Sequence, residues 1–311
     1  MVHFPGDGIT PAADRPPDSG GSLAVSPPWR RFKRDGVSLA FSDTRGPGPV
    51  ALLLPGLTGS ALEFQPTADR LSRHFRVVAL DQRGHGRSTR RPDDLSRQAY
   101  VDDVIALIGL LADGAPVRLI GHAMGAQTAM LVTAQRPDLV ERLVMLEGGA
   151  AGETEQSITM TMEFLSAWPL PFDSPSSAAA FLGPTAPAQA WVRDLERCLD
   201  GFRPRFDTDV MAETLRGLRQ SRWPEWQGLA APTMAVFAEH GKFSAGRRAE
   251  LIARRPATFH LTLPDTGHYA HLEQFETWMT ALHRFLLTSD GAAVRENSVK
   301  LGDLPTVERH G

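Results

Sequence analysis

The chain has 311 residues, 42% hydrophobic and 22% charged, ordinary globular values that allow one sizeable core with an insertion. A formal net charge of −3 gives no electrostatic case for nucleic acid or an anionic membrane, so the expected partner is a small molecule. Cys198 is the single cysteine, which excludes an intrachain disulfide and a cysteine-based metal site; with no leader-like start and no apolar run of roughly 18 residues, the sequence reads as soluble and cytoplasmic.

Residues 1–28 are crowded with Pro, Gly, Asp and Ser and read as a disordered tail. Trp29–Arg34 and Val37–Phe41 are strand-like runs around Asp35-Gly36, a hairpin turn signal. Val50–Leu54, Arg76–Leu80, Val117–Ile120, Leu143–Leu146, Met234–Ala238 and Phe259–Leu263 are short apolar runs, as expected of strands covered on both faces. Helical patterns at Ala61–Ser72, Arg97–Ala112, Met124–Gln135, Gly246–Arg254 and His271–Leu287 separate most of them. This alternation predicts an α/β fold with a doubly wound, mostly parallel sheet, its core formed by 29–151 and 229–287. Residues 152–228 have helix-like stretches at Glu155–Ala167, Ala188–Leu199 and Thr208–Gln220 and no convincing strand, and read as an inserted helical lid. Its aromatics, Phe164, Trp168, Phe172, Phe181, Trp191, Phe202, Trp223 and Trp226, are expected chiefly to pack lid on core, with some available to line an apolar pocket. Residues 288–311 form a polar tail.

Four motifs follow strands in a set order: Leu-Leu-Leu-Pro-Gly-Leu (52–57), Asp-Gln-Arg-Gly-His-Gly-Arg-Ser (81–88), Gly-His-Ala-Met-Gly (121–125) and Asp-Thr-Gly-His (265–268). The third has every part of a Gly-x-Ser-x-Gly nucleophile elbow except the serine hydroxyl, because Ala123 occupies the apex. No dinucleotide or P-loop motif occurs, which leaves nucleotide binding without support.

Together these motifs resemble the α/β-hydrolase superfamily across residues 30–287. By that resemblance Ala123 stands at the nucleophile position and His268 at the general base, and the backbone N–H groups of Leu57 and Met124 form the oxyanion hole. Pro55-Gly56 replaces the family's usual His-Gly, a change that leaves a backbone donor in place. The loop Arg83–Gly86 is expected to be structural. Where many relatives place the acid, after the penultimate strand, this chain has Ala238-Glu239-His240-Gly241, with Gly241 in the aspartate's place. Haloalkane dehalogenases and fungal zearalenone lactonases carry the acid one strand earlier, which makes Glu147 the first candidate and leaves Glu239 and Asp265 as alternatives. His271 invites a metal pairing with His268, but no second cluster supports one, and neither metal nor cofactor is expected.

The function expected from this resemblance is a serine hydrolase of a carboxylic ester or lactone, with an apolar substrate and an acyl-enzyme intermediate, present here in an inactive form with alanine for serine. A non-catalytic binder with a hydrolase pocket, and a lyase or other chemistry on the same scaffold, are the alternatives.

Overall fold

In the computed structural model, which describes residues 29–287, alternation of strand and helix resolves into one sheet covered on both faces, with helices and a short ribbon inserted above it. The expected tails, 1–28 and 288–311, lie outside the described residues.

Trp29–Arg34 (β1) and Val37–Asp43 (β2) form an antiparallel hairpin; Asp35 and Gly36 close it with φ angles of 47° and 77°, the left-handed pair that a tight hairpin turn needs. Val50–Leu54 (β3) leads to Gln65–Leu71 (α1), Arg76–Leu80 (β4), Arg97–Leu111 (α2), Val117–His122 (β5), Met124–Gln135 (α3) and Val140–Leu146 (β6). The insertion holds Glu155–Ser166 (α4), Pro175–Leu182 (α5), Ala186–Arg193 (α6), Glu196–Cys198 (β7), Gly201–Arg203 (β8), Thr208–Gly217 (α7) and Trp223–Gln227 (α8). The chain returns through Thr233–Ala238 (β9), Ala245–Arg254 (α9), Phe259–Leu263 (β10), Ala270–Glu273 (α10) and Phe275–Leu287 (α11).

Eight strands pair in the order β1-β2-β4-β3-β5-β6-β9-β10, antiparallel at β1/β2 and β2/β4 and parallel from β4 onward. Every residue of β3 and β9 is buried, because alternate side chains enter different cores. Leu52 and Leu54 pack with Val104, Leu107 and Met130 on one face, whereas Leu53 packs with Phe64, Leu71 and Trp278 on the other. Parallel pairing brings the C-terminal ends of β3, β5, β6, β9 and β10 to one edge, where the loops that follow them meet.

Three local expectations are corrected. Helix α1 begins at Gln65 rather than Ala61: Pro66 suits a first turn, and Ala61 is held outside it by an N–H bond to the buried Asp81 Oδ1 (2.6 Å). The last helical stretch divides at Gln274, whose φ/ψ of −123°/58° is not helical. In the lid, the helix expected over Ala188–Leu199 stops at Arg193, and β7 pairs with β8; Phe172 and Phe202 exchange backbone bonds of 2.9 and 2.8 Å beside this ribbon. Trp168, Phe172 and Phe206 form the lid's own core, while Trp226 enters the main core and donates Nε1–H to the Leu251 carbonyl (2.9 Å). Among the described residues, no helix is long and apolar enough to cross a membrane.

Candidate active site

The turn from β5 into α3 is set by close backbone packing. A Cβ on Gly121 would lie 2.4 Å from the Gly125 carbonyl oxygen, and one on Gly125 would lie 2.1 Å from that of Leu54, so neither position admits a side chain without displacement of the backbone. Between them Ala123 is held at φ 49° and ψ −112°, a conformation that costs an L-residue about 1–3 kcal/mol and persists only where its surroundings impose it. Its N–H donates to the Leu146 carbonyl (2.9 Å), which ties the apex to the end of β6.

Glu147 is the next residue after β6. Its buried carboxylate accepts N–H bonds from Ala238 at Oε1 and Lys242 at Oε2 (2.8 Å each) and lies 3.1 Å from His268 Nδ1. Burial alone would raise its pKa; the bonds from His268 and the two amides outweigh burial and hold it below the ordinary value. A Cβ on Gly241 would sit 2.2 Å from Glu147 Oε2. A side chain at 241 would therefore meet the Glu147 carboxylate, which arrives from the end of the neighbouring strand β6.

His268 follows β10, and its Nδ1–H donates to Glu147, which leaves Nε2 available as the proton acceptor. Burial is the main cause that lowers its pKa, with help from the positive charge of Lys242 and from His122; the Glu147 bond opposes them, and the balance lies at about 4. His268 is thus neutral at pH 7. Glu239 and Asp265 do not reach it: both are exposed, and Glu239 Oε2 accepts the Asp265 backbone N–H (3.0 Å). The N–H groups of Leu57 and Met124 donate to no other group among the described residues, and both residues border the cavity that Ala123 and His268 line. Arg83 lies away from it, in a buried pair with Asp103 (2.7 Å), while Asp81 accepts from the Ala61 and Arg87 amides.

That cavity measures about 440 Å³. The insertion contributes Glu153, Met160, Phe164, Leu165 and Trp191, and the core contributes Lys242 and Arg247 beyond the residues already placed.

Sequence reasoning missed a buried cluster behind the site. Glu63 Oε1 lies 3.2 Å from His122 Nδ1 and 3.0 Å from His271 Nε2, while His122 Nε2–H donates to the His268 carbonyl (2.9 Å). Burial opposes ionisation of Glu63, but its two histidine neighbours hold its pKa down at about 2. His122 was visible within the elbow pentapeptide and His271 as an isolated histidine, but Glu63 sits in a loop whose approach to both is purely tertiary. The ligand atoms of these three residues fall within 4.8 Å of one another, a spacing that could hold a metal ion, as do those of the exposed group Glu239, His240 and Asp265.

A profile of the alpha/beta hydrolase family matches residues 51–279, a span that runs from β3 into α11 and includes every residue of the candidate site. The chain belongs to this family. It is 31% identical over 250 residues to a 2-(acetamidomethylene)succinate hydrolase of Mesorhizobium japonicum, covering 78% of this chain and 89% of that protein. It is 30% identical over 254 residues to an sn-1-specific diacylglycerol lipase of Mus musculus, covering 76% and 81%. A crystal structure of an E-2-(acetamidomethylene)succinate hydrolase superposes with a TM-score of 0.78 at 28% identity, covering 84% of this chain and 99% of the other. The general function is accordingly that of an alpha/beta hydrolase, and the cavity lies at the sheet edge where this fold gathers its loops.

Proposed function

We propose that the chain is the serine-less form of a serine hydrolase that cleaves a carboxylic ester or lactone, and that in its present form it binds substrate without turnover. The observation that carries this reading is the convergence, on one cavity, of a strained residue 123, a neutral His268 buttressed by the ionised Glu147, and two backbone N–H donors with no partner among the described residues.

With serine at position 123, its Oγ attacks the acyl carbonyl as His268 Nε2 takes the hydroxyl proton, and the Leu57 and Met124 N–H groups stabilise the oxyanion. The imidazolium is stabilised by Glu147 and gives its proton to the departing alkoxide, which leaves as the alcohol. Water then attacks the acyl-enzyme with the same histidine as base, releasing the acid and restoring the serine. The cycle uses only the chain's own groups and water. Alanine has no proton to give and no lone pair with which to attack, so the present chain stops at the bound substrate. A small substrate with an apolar body fits the lid-side wall, and the cytoplasm is the compartment we assign.

The test is hydrolysis of a panel of aryl esters and macrolactones by Ala123→Ser beside the unaltered chain. Turnover by the serine variant alone is the expected result. Silence from both, with binding retained, would overturn the hydrolase reading in favour of a non-catalytic binder, the reading that Ala123 itself favours.

A further inference from the structure

The cavity lining carries charge that the proposed cycle does not use. Glu147 is committed to His268 and two amides, and Glu153 accepts Ser157 Oγ–H (2.6 Å) and pairs with Lys242 Nζ (3.4 Å). Arg247 lines the same cavity from the first turn of α9, where its backbone N–H donates to the Ser244 hydroxyl. Arg247 is partly buried, and its guanidinium makes no hydrogen bond or ion pair with another described residue. Its neighbour Arg248 shows the contrast, its guanidinium bonded to the Phe243 and Glu239 carbonyls (2.8 and 3.0 Å).

We propose that Arg247 is the recognition residue for a carboxylate on the substrate, so that the ester or lactone held here has an apolar body against the lid and an anionic end against α9. This rests on the reading that the cavity is the substrate site. A guanidinium that lines a cavity without a partner among the described residues is open to a planar, bidentate anion, and carboxylate geometry matches its fork. The nearby carboxylates of Glu147 and Glu153 disfavour a more highly charged group such as a phosphate dianion. The Lys242–Glu153 pair (3.4 Å) keeps a second cation in the lining of the same cavity.

The test compares monomethyl succinate, adipate and suberate with methyl butyrate, hexanoate and octanoate, pairs that share the scissile ester and differ in having a terminal carboxylate or a methyl group. Binding is read by calorimetry on the chain as it stands, and turnover on Ala123→Ser. We expect one half-ester to bind about tenfold or more tighter than its neutral match, in line with a charge-assisted bond. The same preference is expected in kcat/KM, falling as salt is raised. Arg247→Gln should bring the ratio towards one, and Arg247→Lys should restore part of it, which separates loss of recognition from loss of folding. A ratio near one in the unaltered chain, or one untouched by Arg247→Gln, would overturn the subsite. Arg247-dependent half-ester binding without turnover by Ala123→Ser would uphold the subsite and overturn the hydrolase reading instead.

Discussion

The proposed role of Glu147 as the acid is open to a test that also probes the place of Gly241 beside it. In an Ala123→Ser background, Glu147→Ala removes the acceptor of three donors at once. Two of these are the backbone N–H groups of Ala238 and Lys242; left without partners, they cost about 1–3 kcal/mol each, or roughly 2–6 kcal/mol together. Turnover falls further, because the imidazolium formed at His268 loses the charge that stabilises it and the bond that fixes its tautomer; a loss of about 10³–10⁴ in kcat is expected, near 4–5 kcal/mol of barrier. Glu147→Gln keeps the volume and should unfold less readily while losing activity on a similar scale. Since the Gly241 Cβ position lies 2.2 Å from Glu147 Oε2, Gly241→Asp alone should clash and destabilise. Combined with Glu147→Ala, however, it offers a carboxylate to the vacated space, and it should recover at least about tenfold of the lost kcat. The assay is ester turnover with thermal unfolding followed alongside, and Glu239→Gln is the control. Comparable, mild losses in Glu147→Gln and Glu239→Gln would refute the assignment. Failure of the double variant to gain on Glu147→Ala would refute the spatial equivalence.

Three further outcomes follow from the surroundings of His268. With its pKa lowered from 6.5 to about 4, kcat/KM of the serine variant should hold as pH falls below 6.5 and drop only as pH approaches about 4; an acid limb at or above 6.5 would remove His268 as the base in this environment. The same depression affects stability: the unfolded chain binds a proton that the folded chain does not, so the contribution is complete above 6.5 and eroded as pH falls towards 4, which denaturant midpoints across that window will read. Glu63→Gln should loosen His122, and through it the His268 carbonyl, lowering kcat about tenfold with little change in KM, as expected of a positioning residue. Lost thermal stability with unchanged kcat would make Glu63 structural only.

The sheet was legible because each buried strand is a short apolar run ending at Gly, Pro or a polar motif, and the strands from Val50–Leu54 to Phe259–Leu263 lie where that pattern puts them within a few residues. The lid was less legible: Arg193 ends a helix that periodicity alone would extend to Leu199, because Phe202 pairs across the chain with Phe172 and draws the adjoining residues into a ribbon. Phe164 and Trp191 face the cavity while Trp168 and Trp226 do not, a division that composition cannot make, since all four are alike until the helices are packed. Glu147 could be proposed from its place at the end of a strand, but its contact with His268 depends on Gly241 being bare. Glu63 and Arg247 left no trace in sequence; one looks like a loop carboxylate and the other like one arginine of a polar helix.

The strain at residue 123 bears on whether, under the proposed function, a serine there would suffice for turnover. Were that conformation maintained by a serine's own hydrogen bonds, alanine would be expected to relax towards an ordinary helical start. Instead Ala123 keeps φ 49° and ψ −112°, with its N–H on Leu146, while Gly121, Gly125 and Gly148 meet their neighbours so closely that Cβ atoms there would fall 2.1–2.4 Å from other atoms. The elbow is therefore imposed by the packing of β3, β5, β6 and α3 rather than by the residue at its apex. Ala123→Ser adds one oxygen to a residue that lines the same cavity as a neutral His268 bonded to Glu147. Activity should return with that single oxygen, without compensating changes elsewhere.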